Sequence, residues 1–197
     1  MNFKRLILLI IILFTSPFLI AQEKSFHVNA SLFMLVNIIE ESPKYAHIEF
    51  AKILSDKHII GVEFLTWEYR APLGIPYGKH YDDPNENFPG VVKDIGLGVS
   101  YQYFYSKNWF SKFHITPFYQ QYLDESKNKI QSGFQLFSVA RTGYRWEFYD
   151  NQLFIEPSIA ITAWPINTNM PSDFQLIEDN WPSFFLFEPG LNIGFRF

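Results

Sequence analysis

Residues 185 to 197 alternate with a period of two. The odd positions hold Phe185, Phe187, Pro189, Leu191, Ile193, Phe195 and Phe197, and the even positions from 188 hold Glu188, Gly190, Asn192, Gly194 and Arg196. Successive side chains of a strand point to opposite faces, so this segment is a strand with one greasy and one polar side. A chain made of such strands must close them into a sheet whose two sides meet different environments.

The same alternation predicts eight strands, near 26–37, 44–54, 59–69, 94–105, 110–122, 131–149, 152–164 and 184–197. In the first, Phe26, Val28, Ala30, Leu32, Met34 and Val36 share a face opposite His27, Asn29 and Ser31. In the fourth, Ile95, Leu97, Val99, Tyr101, Tyr103 and Tyr105 oppose Gly96, Gly98, Ser100 and Gln102. The seventh sets Leu153, Ile155, Pro157, Ile159, Ile161 and Ala163 against Glu156, Ser158, Ala160 and Thr162. Strands two and three are less regular, with Lys52 on the apolar side and Leu65 on the polar one.

The connections alternate in length. Segments 55–58, 106–109 and 150–151 are short, while 70–93, 123–130 and 165–183 are mostly longer; only the first outer loop, around 38–43, breaks the contrast. One hairpin tests its own register. If Asp150 and Asn151 form a two-residue turn, Trp146 faces Ile155, Tyr144 faces Pro157, Thr142 faces Ile159 and Gly143 faces Ser158. Arg145 then faces Glu156 across the polar side, an opposite-charge pair.

Lys4 and Arg5, the apolar run Leu6 to Phe14 and the small Ala21 before Gln22 read as a secretory signal peptide over 1–21, leaving one domain over 22–197. Removing that peptide leaves fourteen basic against 20 acidic residues, a net charge of −6, which speaks against a nucleic-acid partner. The chain has no cysteine, which excludes a lipoprotein, disulfides and thiolate metal sites. No apolar run of 18 residues follows the peptide, so only strands are left to span a membrane.

Alternation alone leaves the inward face open between a soluble barrel and a membrane one. A soluble barrel turns its apolar face inward and its charged side chains to water. The lysines after residue 21 lie in turns, loops or near strand ends, and none follows Lys129. The polar face is rich in Gly, Ser, Asn and Gln with Glu and Arg, and the apolar face is crowded with aromatics, which make up 19% of the chain. Trp67, Tyr69, Trp109, Phe110, Trp146, Phe148 and Trp164 fall near strand ends, where interfacial aromatic girdles lie. Three mid-face prolines (Pro117, Pro157, Pro189) run against this pattern, because proline removes a ladder donor. The balance favours a polar interior and an apolar exterior, hence an all-β, eight-stranded antiparallel up-and-down transmembrane β-barrel.

With its signal peptide, eight strands, loop rhythm and Gly194-Phe195-Arg196-Phe197 ending, the chain resembles the small bacterial outer-membrane β-barrels typified by OmpA, OmpX and OmpW. The loop stretches 71–78 and 184–190 resemble those of uncharacterised Bacteroidetes barrels. The resemblance implies residence in the outer membrane of a Gram-negative cell, contact with its lipids, insertion by the barrel-assembly machinery with Phe195 and Phe197 as the signal, and a monomer. It implies no activity.

Eight strands leave an interior about wide enough for side chains to fill. His27, Asn29, His47, Glu49, Glu63, Gln102, His114, Gln120, Gln135, Arg141, Arg145, Glu147, Glu156, Glu188 and Arg196 are expected inside. Of these, Glu49, Glu63, Arg141, Arg145, Glu147, Glu156, Glu188 and Arg196 would form a salt-bridged network, since buried charges survive when paired. A sealed structural plug is the expectation, with a narrow, gated ion or solute path as the alternative. A lipid A-modifying barrel enzyme is a second alternative. Its outer histidines would be only His47 and His80, and the deacylase His-x-Ser-Asn signature is absent, so no catalytic residue is assigned. Segment 82–87, Asp-Asp-Pro-Asn-Glu-Asn, offers oxygen ligands for Ca²⁺ without EF-hand spacing and reads as a solvated loop. Neither metal nor cofactor is expected. The aromatic segment 165–187 reads either as a loop folded over the rim or as a binding surface. The function expected is structural, or surface binding through loops 70–93 and 165–183.

Overall fold

A computed structural model describes residues 25–38, 44–76 and 83–197. The expected signal peptide, His80 and Asp82 lie outside them. The ladder runs β1 (Phe26–Ser31), β2 (Lys44–Ile53), β3 (His58–Tyr69), β4 (Val91–Phe104), β5 (Trp109–Leu123), β6 (Lys129–Tyr144), β7 (Trp146–Phe148), β8 (Leu153–Thr168) and β9 (Phe184–Arg196), with one short helix α1 (Ser172–Glu178) between the last two. Every pairing is antiparallel, and all but β1–β9 and β6–β8 join strands consecutive in the chain.

The sheet closes where β1 pairs with β9, Val28 opposite Phe195. Both β6 and β7 pair with β8, so they are one stave interrupted at Arg145 and the barrel has eight staves. Arg145 leaves the ladder because its backbone bonds the neighbouring turn instead. Its N–H donates to the Asn108 carbonyl at 2.8 Å and its carbonyl accepts from the Asn108 amide at 2.6 Å. The hairpin register holds on both sides of the break: Trp146 opposes Ile155, Gly143 opposes Ser158 and Thr142 opposes Ile159. Asp150 and Asn151 both take positive φ, 53° and 63°, as a two-residue hairpin turn of the primed type requires.

The first strand is shorter than its periodicity suggests. It ends at Ser31, and Leu32–Ile38 form a 3₁₀ segment. The Ser31 hydroxyl accepts from the Phe33 N–H at 3.3 Å, a local bond that competes with the ladder. Asn37 then stands in for the missing strand. Its side chain donates to the Tyr45 carbonyl at 2.7 Å and accepts from the Tyr45 N–H at 2.8 Å.

The faces separate as the alternation requires, polar inward. Glu63 is fully buried and Glu49 is 1% exposed, while Leu97 and Val99 on the outside are 65% and 57% exposed. Ile48, Phe50, Ile60, Val62, Phe64, Phe113, Ile159 and Ile161 continue this apolar exterior around the staves. Both irregular residues obey the geometry: Lys52 points out and Leu65 in. The three prolines also sit on the outward parity, opposite Leu136, Leu191 and Ile159. Four members of the expected girdle do not face out. Tyr69, Phe110 and Trp164 are buried, and Trp67 is partly buried against the interior cluster of Leu65, Phe118, Phe137 and Val139. Each shares the parity of a polar-face neighbour, and parity overrides the preference of aromatics for an interface. Trp109, Trp146 and Phe148 are outward and about half exposed.

Candidate functional site

All eight expected network residues face the interior, at several levels. Near the short-turn end Arg145 is buried, with Nε and Nη2 both 2.7 Å from Glu156 Oε1. Its guanidinium lies 4.8 Å from the Phe104 ring centroid and 4.1 Å from that of Phe154, between two aromatic faces. Gln102 donates to the same Glu156 oxygen at 2.7 Å. Beside this group Arg196 Nη2 reaches Glu147 Oε1 at 2.8 Å, a pair about one-fifth exposed.

Midway along the barrel two carboxylates organise the packing. Glu49 accepts from Lys112 Nζ at 2.6 Å and from the side chains of Asn29 and Ser100. Glu63 lies 2.8 Å from His114 Nδ1 and 3.1 Å from His47 Nε2, and the Thr116 hydroxyl donates to it. The two imidazoles stack with centroids 6.1 Å apart. Glycine makes room for both carboxylates: a Cβ on Gly61 would lie 2.5 Å from Glu49 Oε1, and one on Gly98 would lie 2.9 Å from Glu63 Oε1. Higher up, Arg141 reaches Glu188 at 3.4 Å and the Ser158 hydroxyl at 3.1 Å, while Thr162 donates to Glu188.

Sequence reasoning missed two interior charges. Lys112 was expected at a turn or strand end, but it is 3% exposed inside the barrel. Asp94 is buried beside the Tyr69 hydroxyl, which donates to it at 3.2 Å. Their parity with His114 and Gly96 was the available signal.

The long-loop end is covered. Phe88 from the β3–β4 connection stacks on Phe174 of α1 at 5.1 Å, and Phe174 meets Tyr122 edge-on at 5.3 Å. Tyr69, Val92, Leu73 and Ile177 complete this cap. The Trp181 indole donates to Glu86 at 2.9 Å and ties the two loops together. Of the aromatic segment 165–187, the connection 169–183 therefore folds over the rim, while 165–168 and 184–187 belong to β8 and β9. In the acidic 82–87 stretch Asp83 is engaged by the Asn85 backbone and side chain, at 3.0 and 2.9 Å. Among the described residues no group of three His, Asp or Glu side chains could hold a metal.

Two cavities open at the surface, the first of them lined in part by Lys112 and Arg141. A groove of about 440 Å³ runs along the outside over Ser111, Ala140 and Thr142, between Tyr101 and Tyr103 on one side and Ile159, Ile161 and Phe187 on the other. A surface cleft of about 370 Å³ lies between the end of β8 and the α1–β9 segment, with Pro165, Gln175, Asp179 and Ser183 exposed along it. There Trp164 Nε1 donates to Glu178 at 3.0 Å and the Gln175 amide donates to Asp179. Burial pushes the Glu178 carboxyl above the usual carboxylate range, opposed by the Trp164 bond and reinforced by Asp179. At the short-turn end Phe197 exchanges backbone hydrogen bonds with Phe26, and its ring stacks on Phe26 and Phe195 at 6.4 and 6.3 Å.

These features define a closed eight-stranded antiparallel β-barrel with an ionic, filled interior and an apolar exterior. Comparison with protein-family models, with curated proteins and with solved structures returned no match.

Proposed function

We propose that the chain is an outer-membrane β-barrel of a Gram-negative cell, without a catalytic role, serving membrane integrity or surface binding through loops 70–93 and 165–183. The observation that carries this reading is the inversion of the faces. Exposed Phe, Ile, Leu and Val surround the staves, whereas Glu49, Glu63, Lys112, Arg145 and Glu156 are buried within. In water this exterior would be an apolar patch around the whole molecule, far beyond what soluble monomers carry. In a bilayer it is what strands require, because closure satisfies every stave and lipid covers the apolar face.

The interior favours a plug over a path. Apolar layers around Phe104 and Phe110 at one level and Phe118, Phe137 and Trp164 at another alternate with paired charges. Of the two histidines the enzyme alternative would use, His47 is 5% exposed and engaged by Glu63 inside the barrel, which weighs against that reading, and His80 lies outside the described residues. Heat-modifiable migration on a denaturing gel, with extraction only by detergent, is the expected behaviour. Release of the folded protein without detergent would overturn the membrane reading. Lipid A mass spectra from a deletion strain are expected to be unchanged, and a shifted acyl pattern would restore the enzyme.

A further inference from the structure

The barrel wall is not zipped to the same height all round. β1 pairs with β9 only from His27–Arg196 to Ser31–Asn192. Above Asn192, β9 pairs with β8 and with no described strand on its other side. The 3₁₀ segment Leu32–Ile38 lies in this seam, against β2 and β9. Exposure reports the gap. Glu188, an inward carboxylate at this level, has a side chain 31% exposed, against 2% for Glu49 lower in the lumen.

The segment nonetheless carries a strand's pattern. Leu32, Met34 and Val36 continue the apolar row of Phe26, Val28 and Ala30. Carrying both registers upward sets Leu32 between Ala46 and Leu191, Phe33 between Tyr45 and Gly190, and Met34 between Lys44 and Pro189. Phe33, now 40% exposed, would then turn inward beside Tyr45. The 3₁₀ and strand forms compete for the same two groups. Ile53 donates to the Ser25 carbonyl, so by the alternation of an antiparallel ladder the Phe33 backbone would bond the N–H and C=O of Tyr45. Those are the groups that the Asn37 side chain holds at 2.8 and 2.7 Å.

We propose that residues 32–38 are a two-position latch on this seam. In one position Asn37 caps Tyr45 and the segment is 3₁₀. In the other Leu32–Met34 extend β1, the Phe33 backbone displaces Asn37, and the wall beside Arg141 and Glu188 closes. Two features of β9 hold the strand position in check. The backbone of Pro189 faces the seam, by alternation from the Phe26–Phe197 pair, and has no N–H to give an added strand. Phe187, at φ 63°, bulges β9 and stops the regular ladder just above. The latch goes beyond the membrane reading and rests on the strand registers alone.

The chain has no cysteine, so disulfide trapping in the full purified chain in detergent reads the register directly. A 3₁₀ segment rises about 2.0 Å per residue against about 3.3 Å for a strand, which leaves residue 34 midway between the levels of 44 and 46. Only the strand sets it opposite 44. Met34→Cys with Lys44→Cys is therefore expected to cross-link about tenfold faster than Met34→Cys with Ala46→Cys. Asn37→Ala, which frees Tyr45, is expected to speed the first cross-link about fivefold or more. Pro189→Ala, which supplies the missing N–H, is expected to act in the same direction. Val28→Cys with Phe50→Cys, already opposed in the ladder, is the positive control. Equal rates for the two Met34 pairs, no acceleration by Asn37→Ala, or no Met34–Lys44 cross-link where the control forms would each overturn the latch.

Discussion

Lys112 Nζ lies 2.6 Å from Glu49 Oε2 with both side chains 2% exposed, so a full ion pair is held inside the barrel. Glu49 joins β2 to β1 through Asn29, to β4 through Ser100 and to β5 through Lys112. The pair therefore ties together staves that are far apart in the chain. Breaking a buried pair by removing one partner leaves an uncompensated charge, and that costs more than the pair is worth.

Lys112→Met is expected to destabilise the folded barrel by about 3–5 kcal/mol, and Lys112→Met with Glu49→Gln to recover most of the loss. Reversible urea unfolding in detergent, followed by tryptophan fluorescence, measures both. A single-variant loss below about 1 kcal/mol would mean that the pair behaves as an exposed one.

Arg145→Lys keeps the charge and loses the planar group between Phe104 and Phe154 and its two contacts with Glu156. A loss of about 1–3 kcal/mol is expected by the same assay, since a lysine ammonium neither stacks nor forks. An unchanged midpoint would show that charge alone matters at this level.

Gly98→Ala places a Cβ 2.7 Å from the Ile115 carbonyl oxygen and 2.9 Å from Glu63 Oε1. The backbone contact cannot move aside cheaply, so a loss of about 1–3 kcal/mol is expected. Alanine at outward-facing Val99 carries no such clash, and its stability relative to wild type separates overpacking from a general intolerance of β4.

Docking of α1 should depend on pH through Glu178. Burial raises its carboxyl above 4.5, so the folded cap holds this proton more tightly than the open cap. The stabilisation is complete below the ordinary carboxyl range and is lost as pH rises through the raised value. Hydrogen exchange of residues 172–178 is expected to quicken over that interval, after correction for intrinsic rates. Glu178→Gln is expected to flatten the trend, and an equal slope in the variant would assign the effect to another group.

Single-channel recording in planar bilayers is expected to show no stable steps, because the ionic levels and aromatic layers fill the lumen. Large, persistent openings would require the plug to rearrange and would restore the channel alternative.

Much of this arrangement was legible from parity. A strand's side chains alternate whatever surrounds it, so it could be read locally that Glu49, Glu63, Arg141, Arg145, Glu156, Glu188 and Arg196 lie on the polar face of their strands, while the sparse lysines and crowded aromatics marked that face as the inner one. The Arg145–Glu156 pair followed from one turn. Composition misled where it was set against parity. Trp164 shares its face with Glu156 and Thr162, and Lys112 with His114, yet an aromatic near a strand end suggests a girdle and a lysine suggests water. The end of β1 at Ser31 was hidden for a different reason: a turn bond and the Asn37 side chain replace a ladder that the alternation alone would extend.

The sequence by itself determined that there are two-faced strands, how many staves they make and which residues share each face, because period-two alternation is a property of the local backbone. Only the tertiary structure decided which of those residues meet. Glu63 contacts His114 and Thr116, 51 and 53 residues away, and Gln102 contacts Glu156 across 54 residues. Those distances are spanned through the lumen, and they are set by the stagger and tilt that the staves acquire when β1 closes on β9. The cap is the same kind of outcome. Nothing local pairs Phe88 with Phe174 or Trp181 with Glu86; closure brings the two long loops over one rim, where burial of their aromatic rings holds them together.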